Sequence, residues 1–107
     1  PHLRLIAPMG YLDFLSVLRE ARFVITDSGG VQEETTFLGV PCLTLRTTTE
    51  RPVTVTDGSN TLAGDDPRVL HPLLLRLQGA KARRKARPRF WDGRAAERVA
   101  KILAGLI

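Results

Sequence analysis

Short apolar runs alternate along this chain with longer segments of helical period, and that alternation constrains the fold more than any other feature. Phe23-Val24-Ile25-Thr26 is a compact β-branched run of the kind a buried parallel strand presents. Cys42 to Leu45 gives another, Asn60-Thr61-Leu62-Ala63 a weaker one, and His2 to Ala7 reads as a strand ahead of them all. Between them, Tyr11 to Ala21 places Leu12, Leu15, Val17 and Leu18 at helical spacing, with Gly10 at its start. Gly30 to Leu38 suits a short helix ended by Gly39 and Pro41. Asp66 is placed to cap a helix running to about Gln78, with Pro67 in its first turn and Pro72 expected to kink or interrupt it. Gly93 to Leu106 reads as a last amphipathic helix, fraying at Gly105. Strands and helices alternating at these lengths imply βαβ units, a parallel sheet and the α/β class.

Two segments fall outside that scheme. Arg46 to Ser59 holds five Thr and a Pro without helical period and reads as a functional loop. Residues 81–92 read as an exposed basic linker, because six basic residues fall between Lys81 and Arg89. Removing those six charges from the net +5 leaves −1, so the basic character is local and says little about the rest of the surface. A nucleic-acid-binding module built on this run is the rival from another class. It lacks interleaved aromatics and any RNP, KH or zinc-finger signature.

Composition closes off other classes. At 107 residues, 43% hydrophobic and 25% charged, the chain has the size and balance of one domain and is neither disordered nor a coiled coil. No apolar run approaches the roughly 20 residues of a membrane-spanning helix. The chain opens Pro1-His2-Leu3-Arg4-Leu5, with neither Met nor a signal-peptide pattern, which reads as a cut into something larger. The single Cys42 lies in an apolar run and is expected to be a buried, inert thiol in a reducing cytoplasm. His2 and His71 offer it no metal-ligand spacing.

Thr26-Asp27-Ser28-Gly29-Gly30-Val31-Gln32-Glu33-Glu34 carries the most chemistry. A strand ends, a small-residue turn follows, and a helix opens, so free backbone N–H groups converge at the carboxyl edge of the sheet. Glycine leaves room for a phosphate, Ser28 adds a hydroxyl, and the helix dipole favours a pyrophosphate. Glu33 or Glu34 is placed to accept hydrogen bonds from ribose hydroxyls. The competing account is structural: a tight strand-to-helix connection with an N-cap. Neither G-x-G-x-x-G nor a P-loop is present, and the G-x-S-x-G elbow is missing too. Arg46-Thr47-Thr48-Thr49-Glu50-Arg51-Pro52 should lie on the same sheet edge, where Arg51 can fork onto phosphate oxygens. Its competing account is a solvated loop in which Glu50 and Arg51 balance each other.

Taken together, these residues resemble the non-hydrolysing UDP-N-acetylglucosamine 2-epimerases. The resemblance runs through Pro8-Met9-Gly10-Tyr11-Leu12-Asp13-Phe14-Leu15, Thr26 to Glu34, Leu38 to Arg46 and Thr49-Glu50-Arg51-Pro52, and ends in Trp91-Asp92-Gly93 with Ala95-Ala96-Glu97-Arg98. It implies most of the C-terminal, Rossmann-like half of a two-domain GT-B-type fold. Residues 1–107 would then form a partial nucleotide-sugar-binding domain, with 93–106 its terminal helix. The implied partner is UDP-N-acetylglucosamine or UDP, with no cofactor, no metal, no membrane, and a homodimer for the full-length enzyme. Ser28, Gly29 and Gly30 are implied to bind the pyrophosphate, Glu34 the ribose hydroxyls and Arg51 the substrate. Phe14 would lie against the uracil. Met9 stands where other family members carry Gln, so the uracil edge would meet backbone there. The implied reaction inverts C2 of the sugar by eliminating UDP and re-adding it to the glycal, with no catalytic residue in this chain. A UDP-sugar glycosyltransferase of the same fold is the nearer rival.

A complete half of that kind is expected to order six strands 3-2-1-4-5-6. The four runs here would be strands 3 to 6, and the two absent ones would sit between Leu3-Arg4-Leu5-Ile6 and Phe23-Val24-Ile25-Thr26. The first strand must then re-pair, swap into a partner or leave an open edge. The last helix would expose Ala96, Val99, Ile102 and Leu103.

Overall fold

A computed structural model describes residues 2–79 and 87–106. Three parallel strands, β1 (Val24–Thr26), β2 (Cys42–Thr44) and β3 (Asn60–Leu62), form a sheet in the order β1-β2-β3. Val24, Ile25 and Thr26 stand opposite Cys42, Leu43 and Thr44, which in turn oppose Asn60, Thr61 and Leu62. Helices α1 (Tyr11–Glu20), α2 (Gly29–Leu38), α3 (Pro52–Thr56), α4 (Pro67–Gly79) and α5 (Ala95–Gly105) complete the chain. The α/β class and parallel sheet expected from the alternation, and the Rossmann-like arrangement the resemblance implies, are what the chain adopts.

The strand expected over His2 to Ala7 does not form. Residues 2–10 lie outside regular secondary structure, with Leu3 81% and Leu5 91% exposed. A strand exists only through a ladder with a neighbour, and β1 pairs on one side alone, with β2. For the same reason β1 is half-exposed instead of buried. Central β2 is buried throughout.

Arg46 to Ser59 is not all loop, because α3 forms inside it. Pro52 starts that helix with its φ preset, and Thr54 and Thr56 donate their hydroxyls to the carbonyls of Arg51 and Pro52. Asp66 caps α4 as expected, its Oδ1 accepting from Arg68 N at 2.9 Å. Pro72, however, does not break that helix. It denies a donor only to the carbonyl of Arg68, and both residues sit on the exposed side, where water replaces the lost bond. Gly39 ends α2 in the left-handed conformation at φ 74°, and Val40 N returns to Thr35 O at 2.9 Å.

The interior is unusually polar. Leu18, Val40, Cys42, Leu43 and Ala63 are its buried apolar members, set among buried Gln32, Thr35, Thr36, Thr44, Thr54 and Asn60. Burial pushes the Cys42 thiol up, against weaker hydrogen bonding from Thr35 and Thr44, which matches an inert core cysteine. At the other extreme α5 buries no residue, and Val99, Ile102 and Leu103 are all more than half exposed.

Candidate functional site

The carboxyl ends of β1 and β2 bring the Ser28 turn and the threonine-rich loop to one edge of the sheet. Ser28 is the N-cap of α2, yet its hydroxyl makes no capping bond. Its backbone N–H donates instead to Thr26 Oγ1 at 3.1 Å. That leaves the Ser28 hydroxyl and the first-turn amides of α2, which have no carbonyl four residues back, as the donors at this edge.

Neither glycine of the turn is demanded by the fold. Positive φ occurs at Gly39, Gly64 and Gly93 among the glycines, and not at Gly29 or Gly30. A Cβ built on Gly30 would come no nearer than 4.0 Å to another group, Ser28 Oγ, and one on Gly29 would make ordinary contact with the Arg51 guanidinium at 3.7 Å. Glycine is also a poorer helix former than alanine, by up to about 1 kcal/mol in a helix interior. What the two glycines produce is a bare surface over the helix N-terminus, with an arginine beside it.

Arg51 lies over Gly29 and pairs with Glu33, not with Glu50. Glu50 is taken by Arg46 through two hydrogen bonds of 2.7 and 3.2 Å, and that guanidinium holds its carboxyl below the usual carboxylate range. The two acids after the turn therefore do different work. Glu33 restrains the arginine, and Glu34 accepts a hydrogen bond from the Tyr11 phenol at 3.1 Å. That bond raises the Tyr11 pKa, because ionising the phenol would lose it.

A cleft of about 500 Å³ runs along α1 and α2, within the usual range for ligand pockets. Tyr11 and Leu15 of α1, Glu33, Glu34, Phe37 and Leu38 of α2, and Trp91 line it. Arg87 stands over the Phe37 ring at 3.9 Å and donates to Phe37 O at 2.9 Å. Residues 81–86 of the expected basic linker over 81–92 lie outside the described residues.

Ser28, Gly29, Gly30, Glu34 and Arg51 are thus gathered at the turn and its first helical turns. Phe14, the fourth residue of α1, is half-buried, and Met9, 37% exposed, lies two residues before that helix, ahead of its N-cap Gly10. Sequence reasoning missed the polar set beneath the site. Gln32 Oε1 accepts from Thr49 Oγ1 at 2.6 Å and from Asn60 Nδ2 at 3.0 Å. Its Nε2 donates to Ser28 O at 3.2 Å. The available signal was that Gln32, Thr35 and Thr36 occupy the positions of α2 where a helix on a sheet normally turns apolar residues inward. Among the described residues, no group of three His, Cys, Asp or Glu is placed to hold a metal, and no helix is long and apolar enough to cross a membrane.

A three-stranded parallel α/β sheet with flanking helices, its carboxyl edge carrying the Ser28 turn, defines a Rossmann-like domain. Residues 1–104 match the family profile described as UDP-N-acetylglucosamine 2-epimerase, and the chain belongs to that family. It is 44% identical over 101 residues to UDP-N-acetylglucosamine 2-epimerase of Methanocaldococcus jannaschii, covering 94% of this chain and 27% of that protein. The Escherichia coli K12 protein of the same name is 39% identical over 103 residues, covering 92% and 27%. Among solved structures, the M. jannaschii enzyme in complex with UDP-GlcNAc and UDP superposes with a TM-score of 0.80 at 45% identity, over 94% of this chain and 27% of that one. S. aureus MnaA, solved with UDP, gives 0.80 at 32% identity, over 96% and 30%. The chain spans a little over a quarter of the length of these relatives.

Proposed function

We propose that this chain is the UDP-binding portion of a UDP-N-acetylglucosamine 2-epimerase, a partial nucleotide-sugar-binding domain ending in a terminal helix. The reaction assigned to the whole enzyme interconverts UDP-GlcNAc and UDP-ManNAc by eliminating UDP and re-adding it to the glycal. The observation that carries this reading is the pair of glycines over the N-terminus of α2, which neither backbone conformation nor packing requires. A pyrophosphate is the ligand that such a bare, positively polarised surface beside Arg51 suits.

In this reading the amides of Gly29 and Gly30 and the Ser28 hydroxyl bind the pyrophosphate, and Arg51 exchanges Glu33 for a phosphate oxygen. Glu34 turns from the Tyr11 phenol to the ribose hydroxyls. Phe14 lies against the uracil, and backbone at Met9 meets its edge. The helix N-terminus stabilises charge on departing UDP, which helps both elimination and re-addition. The groups that act on the sugar are assigned outside these residues, so the chain alone should show no epimerase turnover. No metal or cofactor enters the scheme, the whole enzyme is assigned as a homodimer, and nucleic acid is not its partner. A lone buried thiol agrees with the reducing cytoplasm.

The test is a titration with UDP, and in parallel with a short oligonucleotide, followed by Trp91 fluorescence at two salt concentrations. UDP should bind, and Ser28→Ala with Glu34→Ala should abolish it. Oligonucleotide binding with a steep salt dependence and no response to UDP would favour the nucleic-acid module instead.

A further inference from the structure

We infer that Gln32, a residue that would touch no ligand, is the positioning residue that holds Arg51 in register with the Ser28 turn. The inference rests on the nucleotide-site reading above and adds to it the part that sets the geometry of its arginine. Gln32 is fully buried, and its amide has one consistent orientation: Nε2 toward the Ser28 carbonyl, Oε1 toward two donors.

From Oε1 two hydrogen-bonded paths lead to the same residue. Along one, Thr49 Oγ1 donates to Gln32 and accepts from the backbone N–H of Arg51 at 3.0 Å. Along the other, Asn60 Nδ2 donates to Gln32 and also to Thr54 Oγ1 at 3.1 Å, and that hydroxyl donates to the backbone carbonyl of Arg51 at 2.7 Å. Asn60 is held in turn by Thr44 Oγ1, which donates to its Oδ1 at 2.5 Å. Each threonine hydroxyl on these two paths donates one bond and accepts one, so neither can reverse without breaking its partner. Both backbone polar groups of Arg51 are therefore tied to one buried amide, whose other end holds the N-cap carbonyl of α2. Moving the Ser28 turn moves the arginine with it. A side chain needed only for core packing would not require both ends of an amide to be satisfied on two different loops.

Binding of UDP and of uridine to the full chain separates this role from simple stability. Gln32→Met keeps the volume and removes the amide. It should weaken UDP by about tenfold while changing uridine by less than about twofold, because the displaced group faces the phosphates. Once Arg51→Ala is present, adding Gln32→Met should cost little further UDP affinity. Thr49→Val keeps the shape and cuts one path, so it should weaken UDP by roughly threefold, and Thr49→Ser should restore it. Should Gln32→Met fail to fold, the Thr49 pair decides the matter. Equal losses for UDP and uridine, full additivity with Arg51→Ala, or a folded Thr49→Val chain binding UDP normally would each overturn the role. If the unsubstituted chain binds no UDP, the nucleotide-site reading itself falls and takes this role with it.

Discussion

Among the described residues Gln32, Thr35, Thr36, Thr44, Thr54 and Asn60 are buried beside Leu18, Val40, Cys42, Leu43 and Ala63, whereas α5 leaves Val99, Ile102 and Leu103 between 53% and 64% exposed. The first region inverts the usual rule because all but one of its buried polar side chains are hydrogen-bonded. Gln32, Thr44, Thr54 and Asn60 form one connected set with half-buried Thr49. Thr35 donates to the carbonyls of Val31 and Gln32, and Thr36 Oγ1 alone of the six is left unbonded. Buried polar groups cost little where they are paired. The second region has amphipathic period, yet it buries none of its residues among the described ones. Rigidity where ligand atoms must be positioned comes here from directional bonds, and apolar period alone does not say whether a helix is part of a core.

Substitutions of equal size should expose that difference. Leu43→Ala, at 2% exposure on central β2, should lower unfolding free energy by about 3 kcal/mol in urea denaturation. Leu103→Ala on α5 should stay within about 0.5 kcal/mol. Similar losses at the two sites would mean that α5 is packed in solution.

Next in size is a pair of glycines. A Cβ on Gly58 would stand 2.4 Å from Thr54 O and 2.6 Å from Thr36 Cγ2, while one on Gly10 meets nothing within 4 Å. Gly58→Ala should cost about 2 kcal/mol and loosen α3 against α2. Gly10→Ala should be neutral within a few tenths of a kcal/mol, on the scale of changes at exposed sites.

The smallest effect is electrostatic and marks the border of the two regions. Tyr11 is the chain's one tyrosine, so the ultraviolet absorbance of its phenolate reports it alone. Its pKa is raised by the bond to Glu34, so the stability that bond contributes is present below pH 10.0 and lost as pH rises through the folded-state value. The titration should sit above 10.0 in the free chain and fall back toward it when UDP draws Glu34 away. A titration that UDP leaves unmoved would separate Glu34 from the ribose.

The sequence made much of this legible. The apolar runs at Val24 and Cys42 and the glycine stops marked the sheet and its helices, since strand residues that pack against helices leave a compositional trace. The strand at His2 to Ala7 carried the same trace without forming, because pairing depends on a neighbour and not on the run itself. The turn from Ser28 to Gly30 stood out through residue types whose chemistry is local. Gln32 did not, because its meaning lies in Thr49 and Asn60, 17 and 28 positions away, and no short pattern records such a meeting. The exchange of partners among Glu33, Glu50, Arg46 and Arg51 was hidden in the same way, since adjacency along the chain suggested the Glu50–Arg51 pair.

Amide NMR during a UDP titration tests the central claim most directly. Shifts concentrated at Gly29, Gly30, Val31 and Arg51, with residues 96–106 unmoved, are the expected result. Shifts confined to Arg87 and Arg89, or none at the turn at saturating UDP, would contradict it.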